Sequence, residues 1–333
     1  MLRKVGLILL IITIFTVTIA SCGNTEKTTA AAPTTTAPAT TPAQLTTTPA
    51  TPAPSPTPEP ITITDDYGRT VTIDEYPQRI ISLSPAQTEI LFALGLGDRI
   101  VGVCDYSDYP PEATTKPNIG AYDTPNIEAI IAQEPDLVLA SEEHEAETLQ
   151  LESLGITVVA INPLTVQEVL DSIILIGKIT GQDQEAASLV SDMQRRMDAI
   201  TAKTSQLTAE QKPRVFYIIW HDPIWTVGAG TFHDELIQMA GGVNIAGDLS
   251  GYIDISLEAV IAANPQVIIA GVGMGTGTDE TYQFVATDDR LADVDARVNG
   301  KIYSANMDIV SRPGPRLVDA LEVFFSLIHP EMQ

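Results

Sequence analysis

The residues best suited to hold another molecule gather in the loops that come after apolar, strand-like runs. In the first half these are Ser84 and Pro85 after RIISL (79–83), Tyr106 and Tyr109 after IVGV (100–103), and Tyr122. In the second half they are Trp220, His221, Trp225, Tyr252 and the run Asp308–Arg312. Open α/β sheets collect ligands at the carboxyl ends of their strands. Tyr and Trp on the walls of a cleft suit a large, partly apolar ligand with polar edges. The chain has only 2 Trp and 9 Tyr, so their concentration in such loops points to ligand contact, with burial in the lobe cores as the alternative.

Reaction chemistry finds less support. No GxSxG, HExxH, CxxC or GxxxxGK(S/T) motif occurs. The glycine run Gly271-Val272-Gly273-Met274-Gly275-Thr276-Gly277 comes after a strand, as a dinucleotide loop would, but lies late in its half. A three-histidine metal site would use most of His144, His221, His233 and His329. The glutamates around His144 (Glu142, Glu143, Glu145, Glu147) read as a solvated helix face, and His221 beside Asp222 is the better ligand-contact candidate. The expectation is a binding protein, not an enzyme, with no catalytic residue, no resident metal and no cofactor.

Alternating strands and helices must position these residues. ITIT (61–64) and TVTI (70–73) around an Asp/Gly turn predict a hairpin. Ser84-Pro85-Ala86-Gln87 has the form of a capping box with Pro at the first helical position, and Gly95 suits the exit of that helix. Strands are expected at 100–103, 156–161, 214–220 and 301–304, and helices at about 143–153, 232–240 and 315–328. A unit occurs twice: IEAIIAQEPDLVLA (127–140) and LEAVIAANPQVIIA (257–270). Each copy reads as a short helix, a Pro break and a buried strand, which implies two lobes of similar build. Asn126 and Ser256 are placed to cap, so Glu128 and Glu258 fall in the first turn, where a carboxylate gains ~0.3–1 kcal/mol from the helix dipole. On an exposed rim the same pair could dock onto basic residues of a partner. Between the halves, 165–205 carries helical spacing without a strand signal. One long or broken helix crossing between the lobes is expected, ~60 Å if straight, with two helices kinked at Gly181 as the alternative.

The N-terminal sixty residues have a different character. Residues 1–22 have a basic start (Arg3, Lys4), an apolar run and Ile19-Ala20-Ser21-Cys22, which has the form of a secretory signal ending in a lipobox with Cys22 as the lipidated residue. Residues 23–60 are nearly all Thr, Ala and Pro and read as a disordered, semi-stiff tether. The expected organisation is therefore leader 1–22, tether 23–60, first α/β lobe 61–164, bridging helix 165–205 and second α/β lobe 206–333. A net charge of −25 argues against nucleic acid as a partner. With Cys22 acylated, Cys104 has no thiol to pair with. The body is expected to be monomeric, outside the cytoplasm, and attached to the membrane through its lipid anchor.

The run RIISLSPAQTEILFALGLGDRIVGVCDYSDYPPEA (79–113), the doubled unit and Gly241-Gly242-Val243-Asn244-Ile245-Ala246-Gly247-Asp248 together resemble the class III substrate-binding proteins of ABC importers. The YSDYP stretch most resembles the cobalamin binders among them. The resemblance implies two α/β lobes, each with a mostly parallel sheet flanked by helices, joined by a long helix. It also implies a corrinoid held between the lobes by Pro85, Tyr106 and Tyr122 on one side and Trp225, Tyr252, Asp308 and Arg312 on the other. Glu128 and Glu258 match the family's permease-docking pair, so the implied partners are an ABC permease with its ATPase. Tyr122 and Tyr252 stand where the cobalamin binders carry Trp, and relatives on the same scaffold bind ferric siderophores or haem.

Overall fold

The computed structural model describes residues 59–273 and 279–332. The leader with Cys22, the tether up to residue 58, and Met274–Gly277 of the glycine run lie outside them. The body, Ser55–Gln333, forms one compact unit.

The first lobe opens with β1 (Ile61–Thr64) and β2 (Thr70–Ile73), paired antiparallel as the alternating β-branched residues predict. Next come β3 (Ile80–Ser82), α1 (Pro85–Ala93), β4 (Ile100–Val103), α2 (Ile127–Ala132), β5 (Leu137–Ala140), α3 (Glu145–Ser153) and β6 (Val158–Ala160). The four later strands form a parallel sheet in the order β4-β3-β5-β6. Strands β3, β5 and β6 are buried at every residue, as expected of a parallel sheet covered on both faces.

The segment expected to be a single bridge is two helices, α4 (Val166–Thr180) and α5 (Asp183–Thr204). Gly181 ends α4 in the left-handed region at φ +74° and the chain folds back. A Cβ on Gly177 would lie 2.4 Å from the Ala186 Cβ and 2.9 Å from the Gln182 carbonyl oxygen, so the two helices meet where only hydrogen fits. The straight ~60 Å rod is therefore replaced by a hairpin. Its second arm, the 22-residue α5, is the long joining helix. It packs on the second lobe, where Arg196 pairs with Asp319 and Glu322.

The second lobe contains β7 (Arg214–His221), β8 (Ile224–Val227), α6 (Phe232–Met239), β9 (Val243–Asn244), β10 (Tyr252–Asp254), α7 (Leu257–Ala263), β11 (Val267–Val272), α8 (Glu280–Thr287), α9 (Asp295–Val298), β12 (Ile302–Asn306), α10 (Met307–Val310) and α11 (Leu317–Ile328). Its sheet runs β10-β8-β7-β11-β12, with β9 beside the start of β7. Pairing is parallel around β7, β11 and β12 and antiparallel through β8 and β10. The sequence pattern predicts no strand at β8 or β10.

One apolar cluster runs through both lobes, joining Ile80, Leu137 and Val159 to Val215, Ile269 and Phe324 by way of Ile173, Ile176 and Met197. At ~1.5–3 kcal/mol for each fully buried aliphatic or Phe side chain, this shared core resists separation of the lobes.

Candidate functional site

A cavity of about 450 Å³ opens at the carboxyl ends of the first lobe's strands. Its walls come from the loops at those ends: Ser84 and Pro85 after β3, Asp105 and Tyr106 after β4, Ser141 after β5, and Ile161, Asn162 and Pro163 after β6. The second lobe closes it with Asp308, Ser311, Arg312 and Pro313. Pro85 begins α1 as expected, but the capping box does not form. Ser84 makes no capping hydrogen bond, and buried Gln87 donates through Nε2 to the carbonyls of Ala140 (2.6 Å) and Ile161 (3.3 Å). Gln87 thereby fastens the ends of β5 and β6 to α1, beneath the cavity.

Two tyrosines of the first lobe reach this cavity. Tyr106 has φ +64°, a conformation that costs a non-glycine residue roughly 1–3 kcal/mol, and the residue is 54% exposed. The loop thus holds an apolar ring toward the opening at the expense of backbone strain. Tyr122 is braced from behind. Its hydroxyl donates to Glu143 and accepts from the Ser141 hydroxyl at 3.2 Å, and its carbonyl accepts from His144 Nε2. His144 Nδ1 accepts the Ser141 amide at 3.0 Å, which fixes Nε2 as the protonated nitrogen. Burial, then the neighbouring Glu143 carboxylate, raises the Tyr122 pKa, so the phenol stays neutral. His144 is fully buried. Glu142, Glu143 and Glu145 around it are exposed, as expected of a solvated face, but the ring itself turns inward because two backbone groups need it.

The charges at the lobe junction form one network. Arg312 is buried and donates to Glu89 (3.1 Å), Asp108 (2.8 Å) and Asp308 (2.6 Å). Arg316 donates to both oxygens of Glu89, at 2.8 and 2.7 Å, and to the Asp308 carbonyl. Its guanidinium lies 4.1 Å from the centre of the Tyr109 ring, which commits that tyrosine to the network. Burial opposes the charge of Arg312, but hydrogen bonds to Asp108 and Glu89 raise its pKa further. Glu89 and Asp108 belong to the first lobe, Arg312 and Arg316 to the second, so these bonds cross between lobes. Asp308 and Arg312 line the cavity, but the guanidinium is already shared among three carboxylates. Sequence reasoning missed Glu89 and Asp108. Glu89 stands four residues after Pro85, one turn along α1, and that spacing was the available signal.

Trp225 and Tyr252 are not among the cavity's lining residues. They sit with Trp220 on the strands β7, β8 and β10, where Trp220 pairs with Trp225, and Asp254 and Tyr252 oppose Trp225 and Val227. The three aromatics are 39–41% exposed. The Tyr252 hydroxyl reaches His233 Nδ1 at 3.3 Å. Burial raises its pKa, and Tyr217 and Glu142 add to the rise. His221 lies against Trp220 and Phe284, at 4.8 and 5.9 Å between ring centres, and is not a cavity residue.

Glu128 and Glu258 are exposed in the first turns of α2 and α7, outside the cavity lining. Their caps are as expected: Asn126 accepts from the Ala129 amide at 3.0 Å and Ser256 from the Ala259 amide at 3.1 Å. Among the described residues no group of three or more His, Cys, Asp or Glu is placed to hold a metal ion, and no helix is long and apolar enough to cross a membrane. Burial raises the Cys104 thiol to about 11, which keeps it protonated and unreactive.

Residues 80–308 match the family model described as periplasmic binding protein. An uncharacterized ABC transporter substrate-binding lipoprotein of Bacillus subtilis is 33% identical over 82% of this chain and 86% of its own. The crystal structure of the periplasmic vitamin B12 binding protein of Vibrio cholerae superposes with a TM-score of 0.65 at 30% identity, covering 78% of this chain and 99% of that one. A periplasmic heme-binding protein from Roseiflexus superposes at 0.68 with 27% identity, covering 77% and 99%. The matched residues run from β3 through β12 to Asp308, through the main sheets of both lobes and most of the cavity's lining, and the chain belongs to the periplasmic binding protein family.

Proposed function

We propose that this protein is the extracytoplasmic receptor of an ABC importer and that its ligand is cobalamin or a related corrinoid. The vitamin B12-binding relative supports the class of ligand. The single observation that carries the choice is the charge of the cavity. Its lining includes Asp105, Asp123 and Asp308, and its one cation, Arg312, is spent on Glu89, Asp108 and Asp308. An anionic ligand, such as haem with its propionates or a carboxylate siderophore, would meet uncompensated carboxylates. A corrinoid presents a rim of amides and a macrocycle with no net negative charge. In this reading Pro85, Tyr106 and Tyr122 contact it from the first lobe. Because it is larger than the cavity, it extends onto Trp225 and Tyr252, while Asp308 accepts from its amides and Arg312 orients that carboxylate.

The test is a titration with cyanocobalamin followed by tryptophan emission. Quenching that saturates at one equivalent, and is reduced in Trp225→Phe, is expected. An unchanged spectrum with tens of micromolar ligand would remove the corrinoid reading and leave haem or a ferric siderophore as the alternative.

The anchoring proposal rests on the Ile19-Ala20-Ser21-Cys22 sequence and on the Bacillus relative being named a lipoprotein. Cys22 carries the lipid, and the Thr/Ala/Pro segment lets the receptor reach its permease and ATPase. Cys22→Ser should move the protein from the membrane fraction to the soluble one. Retention with the membrane would count against lipidation at this residue.

A further inference from the structure

The turn after β5, Ser141 to His144, has the form of a capping box with His144 at its third position. That position ordinarily carries Glu or Gln, whose side chain turns back to the amide of the capping residue. His144 does the same through Nδ1, which accepts the Ser141 amide at 3.0 Å. A glutamine would serve that purpose equally well. What the imidazole adds is a second nitrogen on the far side of the ring, and Nε2 donates to the carbonyl of Tyr122, 22 residues earlier. The two rings also meet edge to face, with 5.4 Å between centres and 80° between planes. Burying a polar ring is unfavourable unless its nitrogens are paired. Here one pairing goes to the turn and the other to a residue of the cavity wall.

Ser141 is the hub of the same arrangement. Its amide goes to His144, and its carbonyl accepts from the Tyr67 hydroxyl of the β1–β2 turn and from the His144 amide. Its hydroxyl lies 3.2 Å from both the Tyr122 hydroxyl and a Glu143 carboxylate oxygen. Tyr122 is thus held at both ends, its carbonyl by His144 and its hydroxyl by Glu143 and Ser141. Tyr122 and Ser141 line the cavity, whereas Glu143 and His144 stand behind it. We propose that Glu143 and His144 are positioning residues for ligand binding: they set the Tyr122 ring before the ligand arrives, so the ligand meets a wall already in place. Both act through Tyr122, and neither contacts the ligand. This inference rests on the reading of Tyr122 as a ligand contact given above.

The test is a double-mutant cycle read by titrating the full-length protein with cyanocobalamin. His144→Gln keeps the cap and cuts the link to Tyr122. It should weaken binding about tenfold, but less than about twofold in a Tyr122→Ala background, where nothing is left to position. A residue that only caps the turn predicts no change in either background. Unchanged binding with Tyr122 present, or an equal loss in both backgrounds, would overturn the proposal. Glu143 carries the same test at an exposed side chain should the buried substitution prevent folding. Glu143→Ala should weaken binding only where Tyr122 is present, and the same two contrary results would overturn the proposal. Failure of the unsubstituted protein to bind cyanocobalamin would remove the corrinoid reading instead. The cycle is then measured with haem, where the same patterns decide.

Discussion

A carboxylate with 1% of its side chain exposed must find cations, and Glu89 finds two, both in the other lobe. Removing one partner of a buried ion pair leaves the remainder uncompensated and costs ~3–5 kcal/mol. Glu89→Gln should therefore lower unfolding free energy by about that amount in a denaturant titration. A change below ~1 kcal/mol would mean that the network adds little to lobe cohesion. His233 lies stacked against Phe232 and Tyr217, under Tyr252. Burial pushes its pKa down to about 3, from 6.5 in the unfolded chain. As pH falls the unfolded state takes the proton first, so this residue's contribution is complete above 6.5 and declines toward 3, by up to ~1.4 kcal/mol per pH unit. His233→Phe should flatten the acid limb of stability in that window, and an unchanged limb would show that the ring is not held neutral. Among individual residues, Pro85, Tyr106 and Tyr122 were legible because strand-end position alone places them. Glu89, Asp108 and His144 were not. Glu89 and Asp108 meet partners more than 200 residues away, and His144 sits in an acidic run that reads as solvated.

The helical segment between the lobes shows where pattern stops being informative. Apolar spacing continues on both sides of Gly181, so periodicity fits one rod or two. What decides is a left-handed residue and a contact too close for any side chain. Gly177→Ala should push α4 from α5 and destabilise by ~1–3 kcal/mol, the usual cost of overpacking. A neutral effect on thermal melting would mean that the hairpin yields easily. Strands β8 and β10 escaped notice for a related reason. They carry Trp225 and Tyr252, which read as loop aromatics, and the turn at Asp222-Pro223 joins β8 directly to β7. The doubled helix–Pro–strand unit, by contrast, was legible in both copies, because cap, apolar register and buried strand lie within some fifteen consecutive residues.

Across the whole molecule, one apolar cluster and one ionic network tie the two lobes together beside a cavity of about 450 Å³. Such a body presents a largely preformed cleft, so ligand choice falls on shape and charge rather than on closure. The two-lobed plan was readable from the repeat. The charge of the cleft was not, because Arg312 reads as a cation available to a ligand until its three carboxylates are placed around it. A cleft whose cation is so committed, with Asp105 and Asp123 on its wall, should take a large ligand without net negative charge and refuse an anionic one. Calorimetric titration of the purified protein with cyanocobalamin and, separately, with haem and a ferric carboxylate siderophore decides between these outcomes. One-to-one binding of cyanocobalamin at ~1 μM or tighter, near −8 kcal/mol, is expected, with the anionic ligands at least ~100-fold weaker. Tight binding of haem or the siderophore, with no heat from cyanocobalamin, would overturn the charge-based choice of ligand.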